Sequence, residues 1–338
     1  MAALGYRAIQ LERFAPSFRD ATRIIELPKR RASAGEILVR NLWCGVNGIF
    51  DTQVARNAVA YIDITLPSLT GVEALGIVED VGDGVTGFDV GDAAVAVRFR
   101  HGYREQNTDF ANHFAKVPGI GRDWLALAST GVSAMVALEQ VGQLADGETV
   151  AISAAAGGLG HILVQLAKLR GCRVIGICGG SHKASFVATL GADRVIDYHA
   201  EDVAQVLRAE FRDAIDVAVD TVGGAIFDAL LDNLAPLGRL VAAGAAAELA
   251  ERPDVVTGPR VLHKLYFKGA SVRGFMNGRL TRHWPAARAR LFALHVAGDL
   301  HVQFDDCAFD GLQTVNDAID HLLSSRSMGK VTVKLGDK

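Results

Sequence analysis

The stretch TVAISAAAGGLGHILVQLAKLRG, Thr149–Gly171, decides the fold. Its first residues, Thr149 to Ser153, form a short apolar run that reads as a buried strand. Beyond the glycines, Leu159, Ile162, Leu163, Leu166 and Ala167 recur at helical spacing and give one buried face. The glycines therefore lie between a strand and a helix. Ala155-x-Gly157-x-x-Gly160 falls where the dinucleotide fingerprint has Gly-x-Gly-x-x-Gly. Gly157 lets the backbone approach a pyrophosphate, and Gly160 lets the helix pack close to the sheet. The free N–H groups of the helix start then face the anion. A tight strand–helix turn in some other α/β protein has the same residues; the strand–turn–helix context favours the dinucleotide.

Around this turn the chain alternates. TVAIS, CRVIGIC, DRVIDY, IDVAVDTV, GRLVAAG and ASVRGF read as strands, with helical segments between most of them. Short continuous apolar strands in such alternation predict an α/β fold with a doubly wound parallel sheet. Earlier in the chain the texture differs. GEILVRNLWCGVN, ALGIVEDVGDGV and GDAAVAVRF are apolar runs broken by glycine and aspartate, and they predict a β-rich domain. WLALASTGVSAMVALEQVG, from Trp124, has helical periodicity. The end of the chain returns to a helix, TRHWPAARARLFALHVAG, and closes on a strand, GKVTVKL. The expected division is residues 1–126 with 278–338 for the β-rich domain, and 127–277 for the parallel sheet.

With 338 residues, half of them hydrophobic, the chain can bury two ordinary cores. A net charge of −3 offers no global field for nucleic acid or an anionic membrane. No apolar run in the sequence approaches the ~20 residues of a membrane span. The four cysteines, Cys44, Cys172, Cys178 and Cys307, are scattered and suggest neither a disulfide framework nor a Cys-x-x-Cys knuckle. The expectation is a cytoplasmic protein that binds neither nucleic acid nor membrane.

The second strand of the parallel sheet selects the dinucleotide. NAD-specific folds place an acid at its end to hold the adenosine ribose. Here that strand ends at Cys178 and Gly179, leaving room for a 2′-phosphate. Ser181, Lys183 and Tyr198 could together hydrogen-bond one. Lys183 could equally be a solvated helix residue; the sum favours NADPH.

Further pieces make a family resemblance. They are GVN (Gly45 to Asn47), GVEALGIVEDVGDGVTGFDVGD, STGVSAMVAL, AAAGGLG, DTVGG, LAPLGRLVAAG and MGKVTVKL. Across nearly its whole length the chain resembles the medium-chain dehydrogenase/reductase superfamily, within it the zinc-independent quinone oxidoreductase and prostaglandin or alkenal reductase branch. LHKLYFKGASVRGF is most similar to the prostaglandin reductase 3 type. The resemblance implies a GroES-like domain beside a Rossmann domain and a homodimer paired through Ser271–Phe275. It also implies a cofactor site at Asn47, Ser133, Ala156, Gly157, Gly158, Leu159, Gly160, Gly179, Ser181, Lys183, Tyr198, Thr221, Val222, Gly244, Phe275 and Met276. Phe275 and Met276, being apolar, read equally as core or dimer contacts.

In the metal-dependent members of that superfamily a cysteine and a histidine hold zinc. Asn47 and Val72 stand at those positions here, and the four-cysteine lobe of structural zinc is absent, so no metal site is expected. Glu73 loses its metal-site neighbour and is left a structural role. Hydride addition to an activated alkene or a quinone needs no Lewis acid, because the conjugated carbonyl accepts the charge at a distance. The implied activity is NADPH-dependent reduction of small hydrophobic enones or quinones. Alternatives are a reductase of unsaturated acyl carboxylates or thioesters, and a non-catalytic NADPH-binding redox sensor. Asn47 is the candidate polar group beside the nicotinamide, or else a turn-stabilising amide. Tyr61 is the candidate proton donor, because Gly48 and Leu249 stand where related reductases have tyrosines. RFRHGYREQNTDF reads as a longer loop whose Arg98, Arg100 and Arg104 could draw an anionic substrate tail, or simply face water with Glu105 and Asp109 neutralising them.

Overall fold

The alternating half of the sequence folds as one six-stranded sheet in the computed structural model, which describes residues 5–248 and 261–337. The chain divides into two units, residues 1–129 with 304–338, and residues 130–303.

The first unit is β-rich. Strands β1 (Gly5–Leu11), β2 (Thr22–Pro28) and β4 (Ser68–Leu69) make a small sheet in the order β2-β1-β4. Its main sheet uses β3 (Glu36–Gly45), β5 (Glu73–Val81), β6 (Ala93–Val97) and β8 (Phe114–Val117), with the C-terminal strand Thr332–Lys334 on the far side of β3. Strand β7 (Gln106–Phe110) pairs with the start of β3. All these pairs are antiparallel. Ile9, Leu11, Val54, Tyr103, Ile319 and Val333 meet in its principal core.

The arginine-bearing connection after β6 is not a projecting loop. Arg98 and Arg100 donate backbone N–H bonds to Val72 and Gly71, and Tyr103 to Thr70. His101, Gly102 and Tyr103 are buried. A Cβ on Gly71 would lie 2.4 Å from the Tyr103 nitrogen, and Gly71 has φ +77°, so this glycine is required by the buried turn it faces. The arginines have local partners. Arg98 meets His113 at 2.5 Å, Arg104 bonds the Tyr6 hydroxyl, and Arg100 donates to Ser68 Oγ at 3.1 Å. Nor do the neighbouring acids neutralise them: Glu105 pairs with Arg7, and Asp109 with His101 and His113.

The second unit carries β9 (Thr149–Ile152), β10 (Arg173–Cys178), β11 (Arg194–Asp197), β12 (Ile215–Asp220), β13 (Leu234–Ala242) and β14 (Ser271–Gly274). Their order is β11-β10-β9-β12-β13-β14, every pair parallel. This is the doubly wound order, with its switch point between β9 and β12. The unit ends at 303 rather than 277 because the helix Trp284–Ala297 packs into it. Arg290 pairs with Glu139 at 2.7 Å, and Gln165 bonds both the carbonyl and the N–H of His301.

Residues Arg122–Val141 form a 20-residue helix over the WLALASTGVSAMVALEQVG segment read as helical, so an apolar stretch near span length is present after all. By length and composition it matches a membrane span, yet 61 % of its apolar window is buried within the protein. Two π-helical segments interrupt it, Leu127–Gly131 and Ala137–Val141.

The buried turn makes a stability prediction. Tyr103 donates its hydroxyl to Asp51 at 2.5 Å, and burial pushes the Asp51 carboxyl up to about 7. An unfolded aspartate titrates near ~3.9. The folded state thus keeps a proton that the unfolded state releases, and the stability from Asp51, complete at low pH, is lost as pH rises through about 7. Asp51→Asn should flatten the fall in chemical-denaturation midpoint between about pH 4 and about pH 7. Tyr103→Phe should cost about 1–3 kcal/mol. Parallel pH profiles for wild type and Asp51→Asn would show that Asp51 carries no such linkage.

Candidate functional site

In the first unit the site grows from one cross-strand pair. Glu73 opens β5 opposite Gly45 of β3 and is fully buried. A Cβ on Gly45 would sit 2.2 Å from Glu73 Oε1, so glycine there makes room for the carboxylate. Oε1 lies 2.5 Å from Lys330 Nζ, and Lys330 is itself 4 % exposed. Asn47 Nδ2 donates to the same oxygen at 2.9 Å. Lys330 also donates to the Val46 carbonyl at 3.1 Å and faces Asn47 Oδ1 at 3.4 Å. The amide of Asn47 is thus oriented from both ends.

Asn47 precedes the helix Gly48–Ala55 without capping it by its side chain, so its amide is not a turn stabiliser. Its backbone N–H points to Asp51 Oδ2 at 3.3 Å. Cys44 lies nearby, its thiol pushed far up by burial and then by the charges of Glu73 and Asp51. Sequence reasoning missed Lys330. The available signal was Glu73 itself, since a carboxylate in a buried strand requires a buried cation.

These residues do not fit a catalytic zinc. Asn47 offers an amide and Val72 nothing, and Glu73 is already engaged by an ammonium. Tyr61 lies in the loop after the helix, 51 % exposed, with its phenol raised by burial. The hydrogen bonds of Asn47 run to Glu73, Lys330 and Asp51, not to Tyr61.

In the second unit the glycine turn stands between β9 and the helix Gly160–Leu169. A Cβ on Gly160 would lie 2.2 Å from the Ala154 carbonyl oxygen, so only glycine lets the helix begin there. Gly157 would meet a single atom, at 3.2 Å, and its face is otherwise open for a close ligand. His161 braces the turn. Its Nδ1–H donates to the Gly157 carbonyl at 2.8 Å while Nε2 accepts from Gln303 N–H, which fixes the tautomer. Ala156, Gly158 and Leu159 lie within this same turn.

Asp220 ties the switch point together. Buried at the end of β12, it accepts from Ser153 Oγ at 2.6 Å and from the N–H groups of Val222 and Gly223. Ser153 Oγ in turn accepts from Thr221 N–H at 2.8 Å. A Cβ on Gly244 would lie 2.8 Å from the Thr221 carbonyl oxygen, so Thr221, Val222 and Gly244 gather at the ends of β12 and β13.

At the end of β10, Gly179 lies under the ring of Tyr198, which a Cβ there would meet at 2.4 Å. Ser181 begins the following helix and Lys183 is half-buried in its first turn. An acid is present after all, supplied by the neighbouring strand. Asp197 of β11 accepts from Gly180 N–H at 2.7 Å and His199 N–H at 3.0 Å, and these two donors hold its carboxyl below the usual range. Its Oδ1 is committed to the loop backbone. Phe275 and Met276 follow β14 half-buried. Beside them Asn277 donates to Ser133 Oγ at 2.8 Å and accepts from Trp284 Nε1 at 2.8 Å, which brings Ser133 to this segment. Leu249 lies outside the described residues.

Residues 33–146 match the alcohol dehydrogenase GroES-like domain and residues 158–293 the zinc-binding dehydrogenase family. The chain is 32% identical over 333 residues to mouse prostaglandin reductase-3, covering 96% of this chain and 88% of that protein. It is 31% identical to a probable quinone oxidoreductase of Leishmania amazonensis, covering 98% of each. The crystal structure of Escherichia coli quinone oxidoreductase complexed with NADPH superposes with a TM-score of 0.82 at 27% identity, covering 97% of this chain and 99% of that one. With a GroES-like unit, a Rossmann unit and full-length relatives above 30% identity, the chain belongs to the medium-chain dehydrogenase/reductase superfamily of oxidoreductases.

Proposed function

We propose that this protein is an NADPH-dependent reductase of activated double bonds, in α,β-unsaturated ketones and aldehydes, or of quinones, and that it works without a metal. The observation that carries the reading is the Glu73–Lys330–Asn47 cluster, which puts a buried ammonium against Glu73 where a zinc enzyme needs ligand capacity. NADPH, when bound, supplies the hydride. The residues suited to hold it are the Gly157–Gly160 turn, Thr221, Val222 and Gly244 at the switch point, and Ser181, Lys183 and Tyr198 for its 2′-phosphate. The NADPH complex of the Escherichia coli quinone oxidoreductase supports this choice of cofactor.

Asn47 is the working group of the first unit. Lys330 holds its Oδ1 and Glu73 holds one Nδ2 hydrogen, which leaves the second Nδ2 hydrogen as a donor fixed in direction. A preorganised donor stabilises the oxyanion that develops on the substrate carbonyl without reorganising during the reaction. Glu73 and Lys330 touch no substrate in this scheme; they position Asn47. The enolate takes its proton from water or from Tyr61, whose raised phenol stays protonated at neutral pH.

The edge of the parallel sheet supports a homodimer. Among the described residues strand β14 pairs on one side only, with Val272 exposed, and the adjacent helix Leu262–Tyr266 leaves Tyr266 79 % and Phe267 83 % exposed. An open strand beside exposed aromatics is a ready pairing surface. Sedimentation at micromolar concentration should give a dimer, and Val272→Lys with Phe267→Lys should weaken it. A monomeric wild type would end this reading.

The cofactor assignment predicts a strong preference for NADPH over NADH. Lys183→Ala should raise KM for NADPH far more than for NADH, by the equivalent of about 1.5–3 kcal/mol for one charge-assisted contact. Equal use of both cofactors by the wild type would exclude it.

The metal-free reading predicts that turnover of an enone panel survives prolonged chelation. It also predicts that Lys330→Met, which strands a buried carboxylate, destabilises the protein by about 3–5 kcal/mol. Adding Glu73→Gln should recover part of that loss, while Asn47→Ala should lower kcat and, by removing one hydrogen bond to a buried carboxylate, cost about 1.5–3 kcal/mol. Activity lost on chelation and restored by zinc, or an Asn47→Ala enzyme of unchanged kcat, would refute the scheme.

A further inference from the structure

Among the described residues one group brings together three metal-capable side chains, Asp305, Cys307 and His321, whose donor atoms lie within 4.8 Å of one another. None of the three belongs to the Asn47–Glu73–Lys330 cluster. Asp305 and Cys307 stand in the segment before the helix Val315–Leu323, and His321 stands on that helix. The Asp305 and His321 side chains are 7 % and 14 % exposed, while Cys307 opens to solvent. A buried carboxylate and imidazole thus end in an accessible thiol, which gives the cluster an entry path.

The geometry favours ligation over mere packing. His321 Nε2 lies 3.0 Å from Asp305 Oδ1, close to the separation that two ligands of one small cation keep. Cys307 Sγ faces the other ring nitrogen, Nδ1, at 4.0 Å. The thiol also has a side-chain hydrogen bond to Asp305, so sulfur, ring and carboxylate all face one another. Thiolate, imidazole and carboxylate in one corner are the donor set of zinc, and three protein ligands leave a fourth position to water.

Asp305 has a second task. Its Oδ1 accepts the Cys307 N–H at 2.9 Å, its Oδ2 accepts the Met328 N–H at 2.8 Å, and its own N–H donates to the Lys330 carbonyl at 3.1 Å. Phe304 forms a parallel bridge with Lys330. The cluster therefore clamps the backbone that presents Lys330 to Glu73. A cation drawing on Asp305 Oδ1, beside His321, withdraws negative charge from Oδ2 and so weakens the bond that Oδ2 accepts from Met328 N–H.

We propose that Asp305, Cys307 and His321 form a binding site for a thiophilic divalent cation, zinc by its donor set, and that filling it loosens the backbone clamp on residues 328–330. The site is distinct from the metal-free Asn47 cluster and explains no step of the reduction.

The test uses the full-length protein without substrate. Titration with cobalt(II) should develop a thiolate-to-cobalt charge-transfer band saturating at one equivalent, displaced by zinc. Cys307→Ser should abolish the band, and His321→Gln should weaken binding at least about tenfold. A missing band, or one that persists in Cys307→Ser, overturns the site. Hydrogen exchange of the Met328 amide should accelerate in the zinc-loaded wild type and not in zinc-treated Cys307→Ser; equal rates with and without zinc overturn the loosening. Both readouts are independent of catalysis, so failure to reduce enones would count against the proposed reaction and not against this site.

Discussion

Glu73 is fully buried, and its Oε1 lies 2.5 Å from the ammonium of Lys330. Desolvating both charges is unfavourable, and their attraction offsets it only where the geometry is good and further hydrogen bonds help. The first unit supplies both. Gly45 yields the space of its missing Cβ, Asn47 adds a second donor to the same oxygen, and the Val46 carbonyl takes another ammonium hydrogen. Strands β3 and β5 and the segment leading into Thr332–Lys334 all converge on this one pair. Replacing either partner with an apolar residue strands the other charge, which is why the cluster behaves as one element.

The second unit rests on a different device. Asp220 fastens β9 to β12 through Ser153 and fixes the backbone beyond β12 by accepting the N–H groups of Val222 and Gly223. These hydrogen bonds to its carboxylate all come from neutral donors. Fixing strand ends at the switch point leaves little there to reorganise when a dinucleotide binds. The same economy governs Asp197, whose oxygen pins the Gly180 loop beside Tyr198.

All six strands of the parallel sheet could be read from the sequence, because β9, β10, β12 and β13 hold short apolar runs and the alternation with helical segments places β11 (RVID) and β14 (SVRG). The glycine turn was legible for the same local reason, since Gly160 sits one helical start away from the strand it packs on. What escaped was non-local. Lys330 lay unremarked in the expected closing strand GKVTVKL, and only its partner, 257 residues earlier, gives it meaning. The Arg98–Arg104 segment looked like a loop because its charges outweigh its apolar residues, yet Tyr103 is buried through a pairing with residues 70–72 that no local pattern encodes. The helix Trp284–Ala297 was assigned to the wrong neighbour since its own sequence says nothing about which face will cover it. Asn47 was singled out by position and Glu73 as a structural residue, but the orientation of Asn47 depends also on Lys330, which was missed.

The discontinuity of the first unit orders events during synthesis. Residues 130–303 are one uninterrupted stretch and, among the described residues, hold all the strands of their own sheet, so that unit can close while later residues are still being made. Residues 5–129 are made earlier, yet they include a buried glutamate whose counter-charge sits at position 330. Until that lysine emerges, Glu73 must stay hydrated, and β5 cannot settle against β3 with its carboxylate inside. The oldest part of the nascent chain is therefore the last to mature, and it matures around the pair that orients Asn47.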